Sequence, residues 1–216
     1  ACNISAAHAD IAIFEDQRVL SVERFDRVWK ENILRRIPQE DFCQATGTSP
    51  ILKYERKGGP SLYKMMSLLS SSNNAIADRC RFFKTALFND LIYNTDSHAK
   101  NFSIFHLRAG FALTPMYDLL SAHFLQKTHP QLYANLRSSL SVNGKKKFHE
   151  ITADDWRAEA DHCGLGKKIC DELMHELAQA VKGLDIPTEA QPPNLDKHQL
   201  ESILEGIHNR AKVLLT

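Results

Sequence analysis

The chain has 216 residues, 43% of them hydrophobic, enough to bury the core of one large or two modest domains. Its 27 basic and 26 acidic residues leave a formal net charge of +1, so composition gives no general attraction to nucleic acid or to a membrane surface. No apolar run approaches the ~20 residues that span a bilayer and no signal-peptide pattern opens the chain. The five irregularly spaced cysteines point to reduced thiols in a cytoplasmic protein.

In chain order, Ala1 to Asp10 has the character of a helix tail. Ile11 to Phe14 and Arg18 to Phe25, around the turn-like Glu15-Asp16-Gln17, read as a β-hairpin. Its second strand alternates Val19, Ser21, Glu23 and Phe25 with Leu20, Val22, Arg24 and Asp26. Val28 to Ser49 holds helix-compatible pieces interrupted by Pro38, and Glu40-Asp41-Phe42 opens a short helix. Tyr54 to Pro60 is a loop, because Lys57-Gly58-Gly59-Pro60 continues no regular element; Ser61 then caps a helix to about Ser70. The longest helix is predicted from Asn73-Asn74 to about Tyr93. Ile76, Cys80, Phe83, Leu87 and Leu91 form a stripe at helical spacing, widened by Phe82, Phe88 and Ile92 until little is left to face water. Such a helix is buried, so it is the expected axis of the domain.

A polar stretch follows at once: Asn94-Thr95-Asp96-Ser97-His98-Ala99-Lys100-Asn101. A loop held at the end of a rigid element is a common place for chemistry. Asp96 and Asn101 stand at the separation of the base Asp and the metal-binding Asn in a protein-kinase catalytic loop. Strands Phe102 to Leu107 and Phe111 to Thr114, joined by Arg108-Ala109-Gly110, would carry Asp118 back beside Asn101. Leu119 to Ala122 is short and apolar, and an irregular polar stretch follows it. Ser138 to Val142 and Lys145 to Ile151 form a hairpin on Asn143-Gly144. Thr152 and Asp155 start a helix ending at Gly164. Lys167 to Lys182 and Asp196 to Leu214 are amphipathic helices, joined by an extended linker, Asp185 to Asn194, with Pro187, Pro192 and Pro193. The expected fold class is α+β, mainly α with small β-hairpins.

Four ordered blocks carry a family resemblance: Val22-Glu23-Arg24-Phe25-Asp26-Arg27; Gly58-Gly59-Pro60-Ser61; Asn94 to Ser103; and Leu113-Thr114-Pro115-Met116-Tyr117-Asp118 through Ala122. Together they resemble the HipA family of toxin kinases, Ser/Thr kinases of bacterial toxin–antitoxin systems. The resemblance implies a kinase-like C-lobe that transfers the γ-phosphate of ATP to a protein hydroxyl, with ATP and Mg²⁺ as cofactors. It implies Asp96 as the catalytic Asp, Asn101 and Asp118 as Mg²⁺ ligands, and Lys100 as positive charge near the γ-phosphate. Glu23 and Phe25 match hinge positions whose backbone meets adenine, and Asp26 is placed for the ribose. The implied division is a hinge-side hairpin, residues 1–27, and a helical lobe, residues 28–216. Implied partners are a protein substrate (family targets include an aminoacyl-tRNA synthetase), a HipB-like antitoxin and, only through it, DNA. Complete members also carry an N-terminal lobe with a phosphate-covering loop, a nucleotide-binding Lys and a regulatory Ser. The residues before the hinge block hold neither glycine nor lysine, and the first residue is Ala. The chain is therefore expected to be a piece of something longer, inactive without that lobe in cis or in trans.

Other readings compete. Glu23 and Asp26 also fit a solvated strand face. His98 suits bracing the loop better than moving protons. Gly58-Gly59 has no following helix with a Lys partner and reads as a turn. His162, Cys163, Cys170 and His175 have the wrong spacing for a zinc finger, and Lys145-Lys146-Lys147 reads as a solvated hairpin tip. Two other functions use the same residues: a non-catalytic module that docks an antitoxin or another partner, and a metal-dependent hydrolase built on Asp96, His98 and Asp118.

Overall fold

The computed structural model describes residues 2–184 and 197–215, so the linker predicted from Asp185 to Asn194 lies outside the described residues. The front of the chain is β-structure throughout. Strand β1 (Ala9–Phe14) pairs with β2 (Gln17–Val22), and β3 (Arg27–Lys30) pairs with β4 (Ile33–Arg36), both antiparallel. The helical reading of residues 28–37 fails here. Val28, Trp29 and Ile33 are β-branched or aromatic, and Glu31-Asn32, with φ of 52° and 60°, form a two-residue turn whose twist matches the strands. Nor is the N-terminus a helix tail, since Ala6 bridges Met116 in parallel and β1 begins at Ala9.

Strand β5 (Gln39–Asp41) leads into α1 (Phe42–Ala45), whose capping box pairs Asp41 with Gln44. Helix α2 (Leu62–Leu69) is capped by the Ser61 hydroxyl, as predicted. Helix α3 (Ala75–Leu91) is the axis: Phe82, Phe83, Leu87 and Leu91 are fully buried. The predicted stripe begins one turn too early, because Ile76 is 78% exposed. Strands β6 (Ser103–His106) and β7 (Phe111–Leu113) form the predicted hairpin, and β5 adds to it in the order β5-β6-β7.

Two short helices, α4 (Leu125–Thr128) and α5 (Pro130–Tyr133), occupy the stretch read as irregular. Strands β8 (Arg137–Val142) and β9 (Lys145–Lys147) turn on Asn143-Gly144, both at positive φ. The three lysines of β9 are not a solvated tip, for each pairs with an acid: Asp155 at 2.8 Å, Glu55 at 3.8 Å and Glu150 at 3.2 Å. Helix α6 (Ala153–His162) starts on the predicted capping box, α7 (Lys167–Lys182) spans the predicted residues, and α8 (Lys197–Val213) closes the bundle. Trp156 of α6 meets Phe83 edge-on at 5.4 Å. Arg210 of α8 reaches Asp90 of α3 at 2.7 Å, deep in the core. Gly206 lets α8 come this close, because a Cβ there would lie 2.3 Å from the His123 ring. The architecture is a helical lobe around α3 with small antiparallel sheets. No helix among the described residues is long and apolar enough to cross a membrane.

Candidate active site

The end of α3 is anchored from several sides. Asp90 is held by Arg210 and by the Trp156 indole, whose N–H donates at 3.1 Å. Tyr93 takes a φ of 52° and is stacked between Phe148 and His123, at 4.3 and 4.4 Å. His123 in turn contacts the Leu91 carbonyl through Nε2 at 2.9 Å, and burial keeps its pKa below the ordinary value. The chain therefore leaves the helix in a fixed direction.

The following loop is tied to itself around one backbone unit. Asn94 donates to Asn89 Oδ1 at 2.9 Å and accepts from the Asp96 amide at 3.0 Å. The Asp96 carbonyl accepts from the His98 amide and from Asn101 Nδ2, each at 2.8 Å. With its backbone clamped, Asp96 turns its carboxylate outward, 39% exposed. The Tyr54 hydroxyl donates to Oδ1 at 2.6 Å, and among the described residues no donor engages Oδ2. That hydrogen bond, followed by burial, raises the Tyr54 phenol above its ordinary pKa, so Tyr54 stays a neutral donor.

His98 sits behind this pair. Its Nε2 is 3.7 Å from Asp96 Oδ1, too long for a hydrogen bond, and its ring meets Tyr54 edge-on at 5.0 Å. Burial lowers its pKa against the pull of Asp96. A buried, neutral imidazole fits the bracing role expected for it.

Asn101 and Asp118 line one narrow crevice together with Asn89, Asn94 and Ser97. The Asn101 NH₂ is taken by the Asp96 carbonyl, which fixes the amide and leaves Oδ1 as its open donor atom. Asp118 is exposed, at a φ of 55°. An amide oxygen and a carboxylate are the hard donors that Mg²⁺ prefers, so these two residues fit such an ion. The Lys100 ammonium meets Asp41 Oδ2 at 2.6 Å.

The hinge block joins the loop through Tyr117. The Tyr117 hydroxyl donates to the Lys100 carbonyl at 2.9 Å and contacts Ser103 at 2.5 Å; burial pushes its pKa up to about 12. The ring of Phe25 packs 5.7 Å from both Tyr117 and Phe105. Glu23 is exposed, with its amide bound to the His8 carbonyl at 2.8 Å. Asp26 is not solvated. It is 1% exposed and gripped by Arg24 at 2.7 and 2.6 Å, which holds its carboxyl below the usual range.

Gly58-Gly59 is a turn and not a phosphate cradle. Both amides donate back, to Glu55 and Tyr54 carbonyls at 2.9 and 3.1 Å, and a Cβ on Gly59 would lie 2.1 Å from the Leu52 carbonyl. Its effect is to hold Tyr54 against Asp96. Among the described residues no three His, Cys, Asp or Glu side chains gather into a metal site, neither around Cys163 and Cys170 nor as Asp96, His98 and Asp118. Tyr54, Asn94 and Tyr117 are the residues to which sequence alone assigned no role. Only Asn94, next to the acidic turn, offered a local signal.

A buried helix that delivers one acid, with an Asn and a second Asp across a crevice, is the arrangement of a kinase-type C-lobe. Residues 1–184 match the model of the HipA-like C-terminal domain, and the chain belongs to that family. It is 30% identical over 201 residues to Y4mE of Sinorhizobium fredii, a protein named as a kinase, covering 90% of this chain and 46% of that protein. It is 29% identical over 210 residues to the serine/threonine-protein kinase toxin HipA of Shewanella oneidensis, covering 91% and 47%. The chain thus spans about half the length of the curated relatives it matches. Among solved structures, Shewanella oneidensis HipA in complex with HipB and operator DNA superposes with a TM-score of 0.82 at 26% identity, over 98% of this chain and 52% of that one. The Helicobacter pylori proinflammatory kinase CtkA shares the fold, with a TM-score of 0.61 at 13% identity, over 99% and 79%.

Proposed function

We propose that this chain is the C-terminal catalytic lobe of a HipA-like serine/threonine protein kinase, which transfers the γ-phosphate of ATP to a protein hydroxyl. The observation that carries this reading is the presentation of Asp96. Its backbone is clamped, Oδ1 is occupied by Tyr54, and Oδ2 is left to accept the proton of an incoming hydroxyl. Asn101 Oδ1 and Asp118 would hold Mg²⁺, which neutralises phosphate charge when bound. Residues 1–27 supply the adenine side through the backbone at Glu23 and Phe25, and residues 28–216 supply the lobe. Asp26, held by Arg24 and Arg36, fixes the hinge ahead of any contact with ribose. Lys100, paired with Asp41, supports the loop from behind.

A glycine-rich cover and a nucleotide-binding Lys would come from an N-terminal lobe, in cis or in trans. Exposed apolar side chains on the front hairpins, Phe14 at 65%, Leu20 at 70% and Trp29 at 70%, support a covering partner there. The Shewanella complex with HipB supports a HipB-like antitoxin as a further partner, with DNA reached through it. A toxin–antitoxin role in the cytoplasm follows from the same reading.

The test is transfer of radiolabelled phosphate by the chain with and without a HipA-type N-terminal lobe. The chain alone should bind ATP more weakly than about 100 μM, less than about 5.5 kcal/mol of binding, and should be nearly inactive; the added lobe should restore both. In the restored enzyme, Asp96→Ala should abolish transfer and leave ATP affinity within a few-fold. Asp118→Ala should weaken Mg²⁺-dependent ATP binding more than Mg²⁺-free binding. Wild-type turnover by the Asp96 variant would overturn the reading.

A further inference from the structure

Next to Asp96 lies a cavity of about 230 Å³ that the phosphoryl-transfer reading does not use. Tyr54, Thr95, Arg56, Arg137 and Lys146 are among the residues that line it. Tyr54 is therefore shared, lining the cavity while its hydroxyl donates to Asp96 Oδ1 at 2.6 Å. Neither Arg56 nor Arg137 meets a carboxylate among the described residues; Arg56 lies over the Tyr54 ring, 5.4 Å from its centroid. Lys146 has only a loose contact with Glu55, at 3.8 Å. Two acids lie nearby: Asp96, whose Oδ1 takes the Tyr54 hydroxyl, and Glu55, whose oxygens are committed to the amide and hydroxyl of Ser141 at 2.5 Å each. Lys53 and Lys57 add positive charge, 5.1 and 5.9 Å from the same tyrosine ring. A chain of net charge +1 thus concentrates five cations beside its proposed base.

We propose that this cavity is a specificity subsite for the protein substrate, which receives an anionic side chain close in sequence to the acceptor Ser or Thr. Uncompensated guanidinium forks recognise carboxylate or phosphate in bidentate geometry, and Lys146 adds a point charge. The volume suits one such side chain. Two residues of extended chain span about 7 Å, the order of a tyrosine side chain, so the anion belongs about two residues from the acceptor. The anion is either a Glu carboxylate or a phosphoserine, which the test distinguishes. The proposal rests on the kinase reading for its acceptor and on the cavity alone for its charge preference.

The experiment uses fluorescein-labelled Ser-containing peptides with Glu, phosphoserine, Ala or Lys two residues from the central Ser. Binding to the chain is followed by anisotropy without nucleotide, and Mg²⁺·ATP binding is measured separately by calorimetry. The Glu or phosphoserine peptide should bind at least about tenfold more tightly than the Ala peptide, as a charge-assisted contact implies, with Lys weakest. The stronger of the two anions names the source. Arg137→Glu should reverse the order toward the Lys peptide, and Arg56→Ala should shrink the preference; both residues are exposed, and circular dichroism checks the fold. Mg²⁺·ATP binding with no charge preference among the peptides would overturn the subsite and leave the kinase reading standing. A charge preference without Mg²⁺·ATP binding, even after an N-terminal lobe is added, would sink the kinase reading and keep the anion site. Arg137-dependent binding of a single-stranded RNA oligonucleotide, with no peptide preference, would overturn the protein-substrate assignment.

Discussion

At the scale of single residues, the orientation of Asp96 depends on a neighbour from another part of the chain. Tyr54 holds Asp96 Oδ1 at 2.6 Å and contacts the His98 ring edge-on, so Tyr54→Phe removes the hydrogen bond and keeps the packing. A hydrogen bond to a charged group is worth about 1.5–3 kcal/mol, and a carboxylate free to rotate meets the acceptor in the wrong orientation more often. In the enzyme restored with an N-terminal lobe, Tyr54→Phe should lower kcat at least about tenfold and leave the KM for ATP unchanged. An unaltered kcat in steady-state kinetics would show that Asp96 needs no such orientation. That Asp96 and Asn101 come together was legible in the sequence, because both lie in one loop whose spacing is local. Tyr54 was not, because a contact across 42 positions leaves no period to read. The same holds for the pairing of Lys100 with Asp41, 59 positions away.

At the scale of elements, legibility followed local chemistry. Capping side chains at Ser61 and Thr152, the helix start at Glu40-Asp41-Phe42 and the Asn143-Gly144 turn act within a few residues, and each formed where the sequence placed it. Strands β3 and β4 were misread because the Glu31-Asn32 turn lacks a glycine and both strands are exposed, so no buried face imposes an alternating pattern. Two elements carry electrostatic predictions. At Asp155, burial alone would raise the pKa from its ordinary 3.8, but hydrogen bonds from Lys145, Asn143 and Thr152 hold it down to about 2. A depressed carboxyl stabilises the fold above its unfolded pKa, and that stability is lost as pH falls through the folded value. Asp155→Asn should therefore cost about 2 kcal/mol at neutral pH. In urea titrations the gap to wild type should close between roughly pH 4 and pH 2. At the end of α8, Arg210→Ala would leave Asp90 buried without its cation, costing about 3–5 kcal/mol. The pair Asp90→Leu with Arg210→Met should lose much less than either truncation alone, because no charge is then stranded. Equal losses in denaturant melts would mean that shape, and not charge, holds α8 in place.

At the scale of the whole molecule, the two halves differ in what they bury. The helical lobe around α3 closes over its own core, with Trp156, Phe82, Phe83 and Leu87 out of water. The front hairpins β1–β2 and β3–β4 are separate two-stranded ribbons that leave Ile13, Phe14, Leu20, Trp29 and Ile33 more than half exposed. Isolated ribbons of this kind are marginal, and their open edges pair readily with other chains. The sequence made the strand-forming character of β1 and β2 plain. It could not show that their apolar side chains would stay exposed, because alternation alone does not say what packs against a face.

That bareness bears on the life of the chain before any chemistry begins. A surface that adheres to its neighbours makes an unaccompanied copy a client of chaperones and proteases, so abundance would be set by how soon a companion arrives. Light scattering of the purified chain should rise steeply with concentration and fall when a companion lobe is titrated in. Replacing Phe14, Leu20 and Trp29 by Ser should suppress that scattering and leave the melting of the helical lobe unchanged. The hairpins would then act as a timer, keeping the chain short-lived until it is assembled.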